Sequence, residues 1–317
     1  MRFRAGGRVP GGGTLSRVLD DLIGDQHGIV TREQALRCGL SDAGIAARVA
    51  AGRWRRVFGR VYATFSGPLP RRAHLWAVVL RCGRDAMLSH ETAAEVCGLS
   101  DAPSEVVHVT LPWERRIARL SGVCLHRTGR ARACRGAPPH TCVEDTVVDL
   151  TQSAPSLDAA AGWIARACGR RLTTADRLGR AFAARPKLRW REQLTAAVAD
   201  VALGCHSLLE LRYLRDVERA HGLPPGLRQH RVGTGYQDVR YRDGVVVELD
   251  GRLGHTGDGA FRDLRRDNAS VCAGEVVLRY GWADVTDRPC EVAAQVAAVL
   301  RRAGWTGSPW RCTRCLS

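Results

Sequence analysis

Residues 236–267, YQDVRYRDGVVVELDGRLGHTGDGAFRDLRRD, set acidic side chains on a pattern that reads as a β-hairpin. The run Val245-Val246-Val247-Glu248-Leu249-Asp250 alternates at its end, so a period of two sends Glu248 and Asp250 to one face and Val247 and Leu249 to the other. Residues 236–241 read as the partner strand, with Asp243-Gly244 as the turn signal. Register decides the place of Asp238. A two-residue loop, Asp243-Gly244, puts Val239 opposite Glu248 and turns Asp238 away. A three-residue loop, Arg242 to Gly244 with Gly244 left-handed, puts Asp238 opposite Glu248 and gathers Asp238, Glu248 and Asp250 on one face. We expect the three-residue loop, because clustered carboxylates repel one another and require a cation or a basic group. The competing reading is a solvated sheet face whose acids pair with nearby arginines.

The chain around this hairpin has 317 residues and 45% hydrophobic content, enough for two or three domains with proper cores. Its formal charge of +16 and pI near 10.1 point to a polyanionic partner. Nucleic acid comes before membrane, because no long apolar span or basic amphipathic anchor accompanies the charge. Lys187 is the only lysine. Arginine richness combined with abundant alanine and glycine has the look of a high-GC coding bias, so arginine alone is a weak pointer. Residues 1–13 are basic and glycine-rich without the apolar centre of a signal peptide, and read as a disordered arm. A cytoplasmic location is the expectation.

Twelve cysteines are scattered along the chain. Cys38, Cys82, Cys97 and Cys168 fall in apolar periodic segments and read as core or near-core residues. The one tight pair is Cys312-x-x-Cys315, with Cys290 upstream as a third possible ligand. With no fourth ligand in view, residues 306–317 read as a frayed tail rather than a zinc site.

From the start, Leu15, Val18, Leu19, Leu22 and Ile23 recur at helical spacing, and Thr31-Arg32-Glu33-Gln34 is a capping-box start for a second short helix. Ser41 caps a third helix carrying Ile45 and Val49. Two short strands, residues 54–57 and 60–63, flank Gly59, the place for a wing. Residues 1–72 hold thirteen Arg against five Asp and Glu, half the excess charge of the chain in under a quarter of its length. A winged helix gripping DNA phosphates fits, with Arg48 and Arg53 near the recognition helix and Arg55, Arg56 and Arg60 on or near the wing. The alternative use of such a module is a protein interaction surface.

The segments VTREQALRCGL (30–40), GRWRRVFGRVYAT (52–64) and AMLSHETAAEVCGL (86–99) resemble the AbiEi-type antitoxin family of type IV toxin–antitoxin systems, over roughly the first half of the chain. The resemblance implies a winged-helix DNA-binding module followed by a mixed α/β region. In the family it serves autoregulation of transcription and antagonism of a cognate toxin. Beyond it, helices are expected from Ala73 to Cys82 and from Ser89 through Val96, and strands over 106–111 and 123–127. His108 and His126 on those strands read as packing or surface residues, and His90 and Glu91 as an ordinary first helical turn. Amphipathic helices run on to about Ala202, with 185–191 as the best linker.

Ser207 and Glu210 form a capping box for a helix reaching about His221; Glu210 shares a stripe with Leu214 and Val217 and so has a path toward the sheet. After the carboxylate hairpin come a helix over 258–273, a strand over 275–280 and a closing helix over 291–302. Glu210, Asp238, Glu248-x-Asp250-Gly251, His255, Arg262-Asp263 and Arg266-Asp267-Asn268 together resemble a domain family related to the very-short-patch-repair endonuclease, within the PD-(D/E)XK nuclease-like superfamily. The resemblance implies that Asp238 and Glu248 hold Mg²⁺ or Mn²⁺ for phosphodiester hydrolysis. This chain departs from the pattern at the lysine position, which is Asp250. A cation must come from elsewhere, with His255, Arg262 or Arg266 as candidates and His255 also a candidate general acid or base.

The expected architecture is α+β and multidomain: an arm (1–13), a winged helix-turn-helix (14–72), a mixed α/β region (73–190), a restriction-endonuclease-like α/β/α domain (200–305) and a tail (306–317). DNA is the expected partner. The function reads as a DNA-binding protein with a metal-dependent endonuclease domain, the alternative being an antitoxin-like autorepressor whose nuclease-like domain does no chemistry.

Overall fold

The structure, a computed structural model, describes residues 12–129, 134–232, 235–250, 272 and 274–315. Helices and three sheets make a mixed α+β chain that divides into two compact units, Met1–Leu150 and Thr151–Ser317. The division falls inside the stretch 73–190 that the sequence reads as one region. Residues 185–191 lie within the second unit, between two of its helices.

The first unit begins with α1 (Gly12–Asp25), β1 (Ile29–Thr31), α2 (Arg32–Arg37), α3 (Asp42–Ala50), β2 (Arg55–Phe58) and β3 (Val61–Ala63). The capping box forms: the Thr31 hydroxyl accepts from Gln34 N–H at 3.1 Å, and the Gln34 side-chain oxygen accepts from Thr31 N–H at 2.9 Å. Ser41 caps α3 by accepting from Gly44 N–H at 3.0 Å. The strands expected around Gly59 form an antiparallel hairpin, the glycine supplying the positive φ that the turn requires. A strand that the sequence reading did not anticipate, β1, pairs with β3 to complete the order β1-β3-β2. Leu19, Val30, Ala35, Ile45, Trp54 and Tyr62 close one core across these elements.

The same unit continues with α4 (Arg71–Cys82), β4 (Met87–Leu88), α5 (His90–Val96), β5 (Val107–Pro112), β6 (Val123–Thr128), β7 (Cys134–Arg135) and β8 (His140–Thr141). The strands order as β6-β5-β4-β8-β7, with β5 and β6 parallel. Leu75, Val78, Val79 and Cys82 of α4 pack on Leu88, Val107, Val109 and Leu111. Ser89 stands at the N-cap of α5 without capping it; its hydroxyl meets His90 Nδ1 at 3.0 Å. Helix α6 (Val143–Ser153) runs across the division between units.

The second unit holds α7 (Leu157–Gly169), α8 (Ala175–Ala183), α9 (Arg191–Ala202) and α10 (Leu208–Arg212), which continues as a π-helical segment, Tyr213–Arg219. Then come β9 (Leu227–Val232), β10 (Gly235–Arg240), a 3₁₀ turn (Arg242–Gly244), β11 (Val245–Asp250), β12 (Val276–Gly281), α11 (Trp282–Asp287) and α12 (Pro289–Arg302). The sheet order is β12-β11-β10-β9; β11 and β12 are parallel and the other pairs antiparallel. Strand β9 was not anticipated, and the helix expected over 258–273 lies, except for Cys272, outside the described residues. Tyr213, Val217, Val239, Tyr241, Val245, Val247, Val292 and Val296 form the core between sheet and helices.

A polar chain crosses that core. Tyr213 and Tyr241 hydroxyls meet at 2.9 Å, Tyr241 donates to Glu218 at 2.9 Å, and Glu218 pairs with Arg228 at 2.9 Å with both side chains buried. Burial, with Tyr213 and Glu218 beside it, pushes the Tyr241 hydroxyl well above its ordinary range.

Candidate nucleic-acid interface and carboxylate site

Helix α3 and the β2–β3 hairpin border an open groove of about 680 Å³ lined by Ile45, Val49, Arg56, Arg60 and Tyr62 among others. Arg53, Arg55, Arg56 and Arg60 are exposed, as phosphate contacts must be, while Arg48 is half-buried. Aromatic rings support three of these cations: Arg48 lies 5.8 Å from the Trp54 ring, Arg55 6.0 Å from Phe65 and Arg56 5.9 Å from Tyr62. Arg48 also donates to Gly44 O at 3.0 Å, so it stays close to its own helix. Arg32 makes a bidentate pair with Asp42, tying α2 to α3 and holding the Asp42 carboxyl below its usual range. The exposed face of α3 otherwise consists of Ala43, Ala46, Ala47 and Ala50. Methyl groups cannot hydrogen-bond base edges, so the cations outweigh the base-reading groups on this surface.

In the second unit the hairpin turn has three residues, with Gly244 at φ +75°. Val239 pairs with Val247 and Arg240 with Val246, and Tyr241 N–H donates to Val245 O at 2.8 Å. One step back along this register sets Asp238 opposite Glu248. The same step on the other side of β10 sets Asp238 opposite Gln229, and Glu248 pairs with Arg279 on β12. Gln229, Asp238, Glu248 and Arg279 thus occupy corresponding positions along the register of the four strands.

Hydrogen bonds fix Asp238 in place. The Asp238 carboxylate accepts from Leu249 N–H at 2.7 Å and lies 3.4 Å from Gln229 Nε2, which reaches Glu210 at 3.3 Å. Glu210 caps its helix one residue further back than expected, accepting from His206 N–H at 3.0 Å, and is 5% exposed. Burial raises its pKa most, the His206 amide opposes that, and the charge of Asp238 raises it again. Asp250 ends β11 in an exposed position. His255, Arg262 and Arg266 lie outside the described residues. Gln229 and Arg279 escaped the sequence reading: β9 was unassigned, and only the parallel pairing brings Arg279 beside Glu248.

Glu210, Asp238 and Glu248 offer hard oxygen donors, the set that Mg²⁺ or Mn²⁺ takes. The donors are of the right kind, but among the described residues the clusters with all donor atoms within 4.8 Å of one another do not include these three carboxylates.

A second cluster lies in the first unit. His90, His108 and His126, read in the sequence as separate packing or surface residues, meet in a stack: His90 and His126 centroids are 3.7 Å apart, and His108 Nδ1 is 3.0 Å from His126 Nε2. Glu91 lies 3.3 Å from His108 Nε2. Ring nitrogens of the three histidines lie within 4.8 Å of one another, and the 3.0 Å contact between His108 Nδ1 and His126 Nε2 requires one of the two to carry a proton.

The elements of residues 12–63 are three helices and a three-stranded sheet whose hairpin carries exposed arginines. Residues 17–60 match a family model described as transcriptional regulator, AbiEi antitoxin. No curated protein matches the chain. Among the described residues no helix is long and apolar enough to cross a membrane.

Proposed function

We propose that the chain is a DNA-binding protein whose first unit grips duplex phosphates through a winged helix and whose second unit cleaves phosphodiesters at Glu210, Asp238 and Glu248. The observation that carries the second part is the placement of Asp238 against the peptide joining Glu248 to Leu249, with Arg279 on the neighbouring strand. Arg53, Arg55, Arg56 and Arg60 take the phosphates, and Arg48 braces the recognition helix. Asp238 and Glu248 would hold a divalent cation, which would supply charge stabilisation at the scissile phosphate. Glu210, buried and raised in pKa, holds a proton more readily than an ordinary carboxylate and so limits the repulsion among the three acids. Arg279, paired with Glu248 across the parallel strands, offers the positive charge that the absent motif lysine would have supplied.

A second reading has its own support. The match over residues 17–60 is to antitoxin regulators, and Asp238 has a structural task in holding Leu249 N–H. In that reading the protein represses its own transcription, a cognate toxin is its partner, and the second unit binds without cleaving. Anisotropy titration of a labelled duplex in Ca²⁺, followed by exchange into Mg²⁺ or Mn²⁺, separates the two. Binding followed by shortened strands supports the nuclease. Salt-sensitive binding with strands intact under every metal supports the repressor, and absence of binding removes both.

A further inference from the structure

The end of the chain is not a loose tail: it returns to the second unit and brings its Cys-x-x-Cys pair to two residues distant in sequence. Cys290, at the start of α12, lies 3.5 Å from Cys312 through sulfur; Cys312 and Cys315 are 3.7 Å apart; and Cys315 Sγ is 3.6 Å from Nε2 of His221. His221 adds a nitrogen donor to the three sulfurs, one the sequence could not supply. All four donor atoms lie within 4.8 Å of one another.

These separations decide the chemistry. A disulfide requires sulfurs about 2.05 Å apart, so none of the pairs is bonded. A tetrahedral zinc ion with Zn–S of about 2.3 Å and Zn–N of about 2.0 to 2.1 Å has S···S edges of about 3.8 Å and S···N edges of about 3.6 Å. The observed contacts are those edges to within a few tenths of an ångström.

The support around the cluster agrees. His221 is 2% exposed, and its Nδ1 lies 3.0 Å from Val217 O. A carbonyl only accepts, so Nδ1 carries the proton and Nε2 turns its lone pair toward Cys315. Trp310 N–H donates to His221 O at 2.8 Å, and Cys315 N–H to Cys312 O at 3.0 Å, which forms the tight turn between the paired thiols. Arg314 donates to Thr286 O at 3.1 Å, holding that turn against the segment before α12.

We propose that His221, Cys290, Cys312 and Cys315 bind one structural zinc ion that fastens the C-terminal segment to the end of the π-helical segment and the start of α12. Four protein ligands close the coordination sphere, so the ion is structural and distinct from any oxygen-bound cation at Glu210, Asp238 and Glu248.

The test uses the full untagged chain, expressed in zinc-supplemented medium and purified without chelator under reducing conditions. One zinc per chain by elemental analysis, and an X-ray absorption first shell of three sulfurs and one nitrogen, are expected. Cobalt exchanged into the protein is expected to give the strong visible bands of a tetrahedral thiolate site. Cys315→Ser and His221→Ala are expected to lose the bound zinc, whereas Cys272→Ser, at an exposed cysteine outside the cluster, keeps it. Wild-type protein with zinc far below stoichiometric and no cobalt bands overturns the proposal. So does a native disulfide among the three cysteines, or full zinc retention in both ligand variants. The wild-type measurements stand even if a ligand variant fails to fold.

Discussion

The Asp238 carboxylate accepts a 2.7 Å hydrogen bond from the backbone N–H of Leu249, the residue between Glu248 and Asp250. Asp238 therefore has two tasks, closing the sheet where the β10–β11 ladder stops and placing its charge beside Glu248. Asp238→Ala is expected to lose both. An unpaired Leu249 N–H costs about 1 to 3 kcal/mol if it stays buried, so the urea midpoint should fall along with any activity. Glu248→Gln leaves the Asp238–Leu249 hydrogen bond in place and should lower the midpoint by less. Equal destabilisation by both substitutions would contradict this division of roles.

Glu210 makes stability depend on pH. Its folded pKa lies above the ordinary carboxylate value, chiefly through burial, so its protonated form favours folding. The contribution is fully present below about pH 4.3, the ordinary glutamate pKa, and is lost as pH rises through the raised value. Glu210→Gln should flatten this dependence, with the variant gaining on wild type toward neutral pH. Denaturant midpoints from about pH 4 to about pH 8 provide the check; parallel curves would show that Glu210 titrates normally.

Mn²⁺ should stabilise the wild-type protein at neutral pH, because an ion that binds only the folded state adds RT ln(1 + [L]/Kd) to stability. That gain should vanish in Glu248→Gln. Thermal unfolding with and without Mn²⁺, in protein whose zinc content is held constant, reads the effect, and an equal shift in both proteins would place the ion elsewhere.

The buried Glu218–Arg228 pair should behave as a coupled unit. Arg228→Met leaves a carboxylate unpaired in the core and should cost about 3 to 5 kcal/mol, whereas Glu218→Gln with Arg228→Met should cost less than that single change. Urea unfolding of Arg228→Met, Glu218→Gln and the double variant tests the coupling. Additive costs would mean that the pair contributes only packing.

The turn behind the carboxylate site was only partly legible: Asp243-Gly244 marked it, but the three-residue length rests on the clustering of the carboxylates rather than on the turn residues themselves. In the fold the positive φ of Gly244 completes that three-residue turn, and the turn sets the register that brings Asp238 to Glu248. The Thr31–Gln34 box and the Gly59 hairpin were readable outright, each being decided within a few residues. Contacts made only by tertiary packing were not. His221 meets Cys315 across 94 positions, and Arg279 reaches Glu248 through a parallel pairing that no turn specifies. His90, His108 and His126 sit on α5, β5 and β6, and no spacing in the sequence announces that these elements converge.

The first unit should bind duplex DNA with strong salt dependence and modest sequence preference, since α3 offers mainly alanine methyls to the bases. Arg56→Ala and Arg60→Ala should each weaken binding alike across sequences, lowering the slope of log K against log salt by about 0.9 per lost phosphate contact. An unchanged slope in both would assign that surface to a protein partner.

Nicking of supercoiled plasmid in Mn²⁺, measured side by side for wild type, Glu248→Gln and the Arg56→Ala/Arg60→Ala double variant, tests the central claim most directly. Metal-dependent nicking by wild type, its loss in Glu248→Gln, and its recovery at higher protein concentration in the double variant are expected. Intact plasmid with wild type in both Mg²⁺ and Mn²⁺, or undiminished nicking by Glu248→Gln, would contradict it.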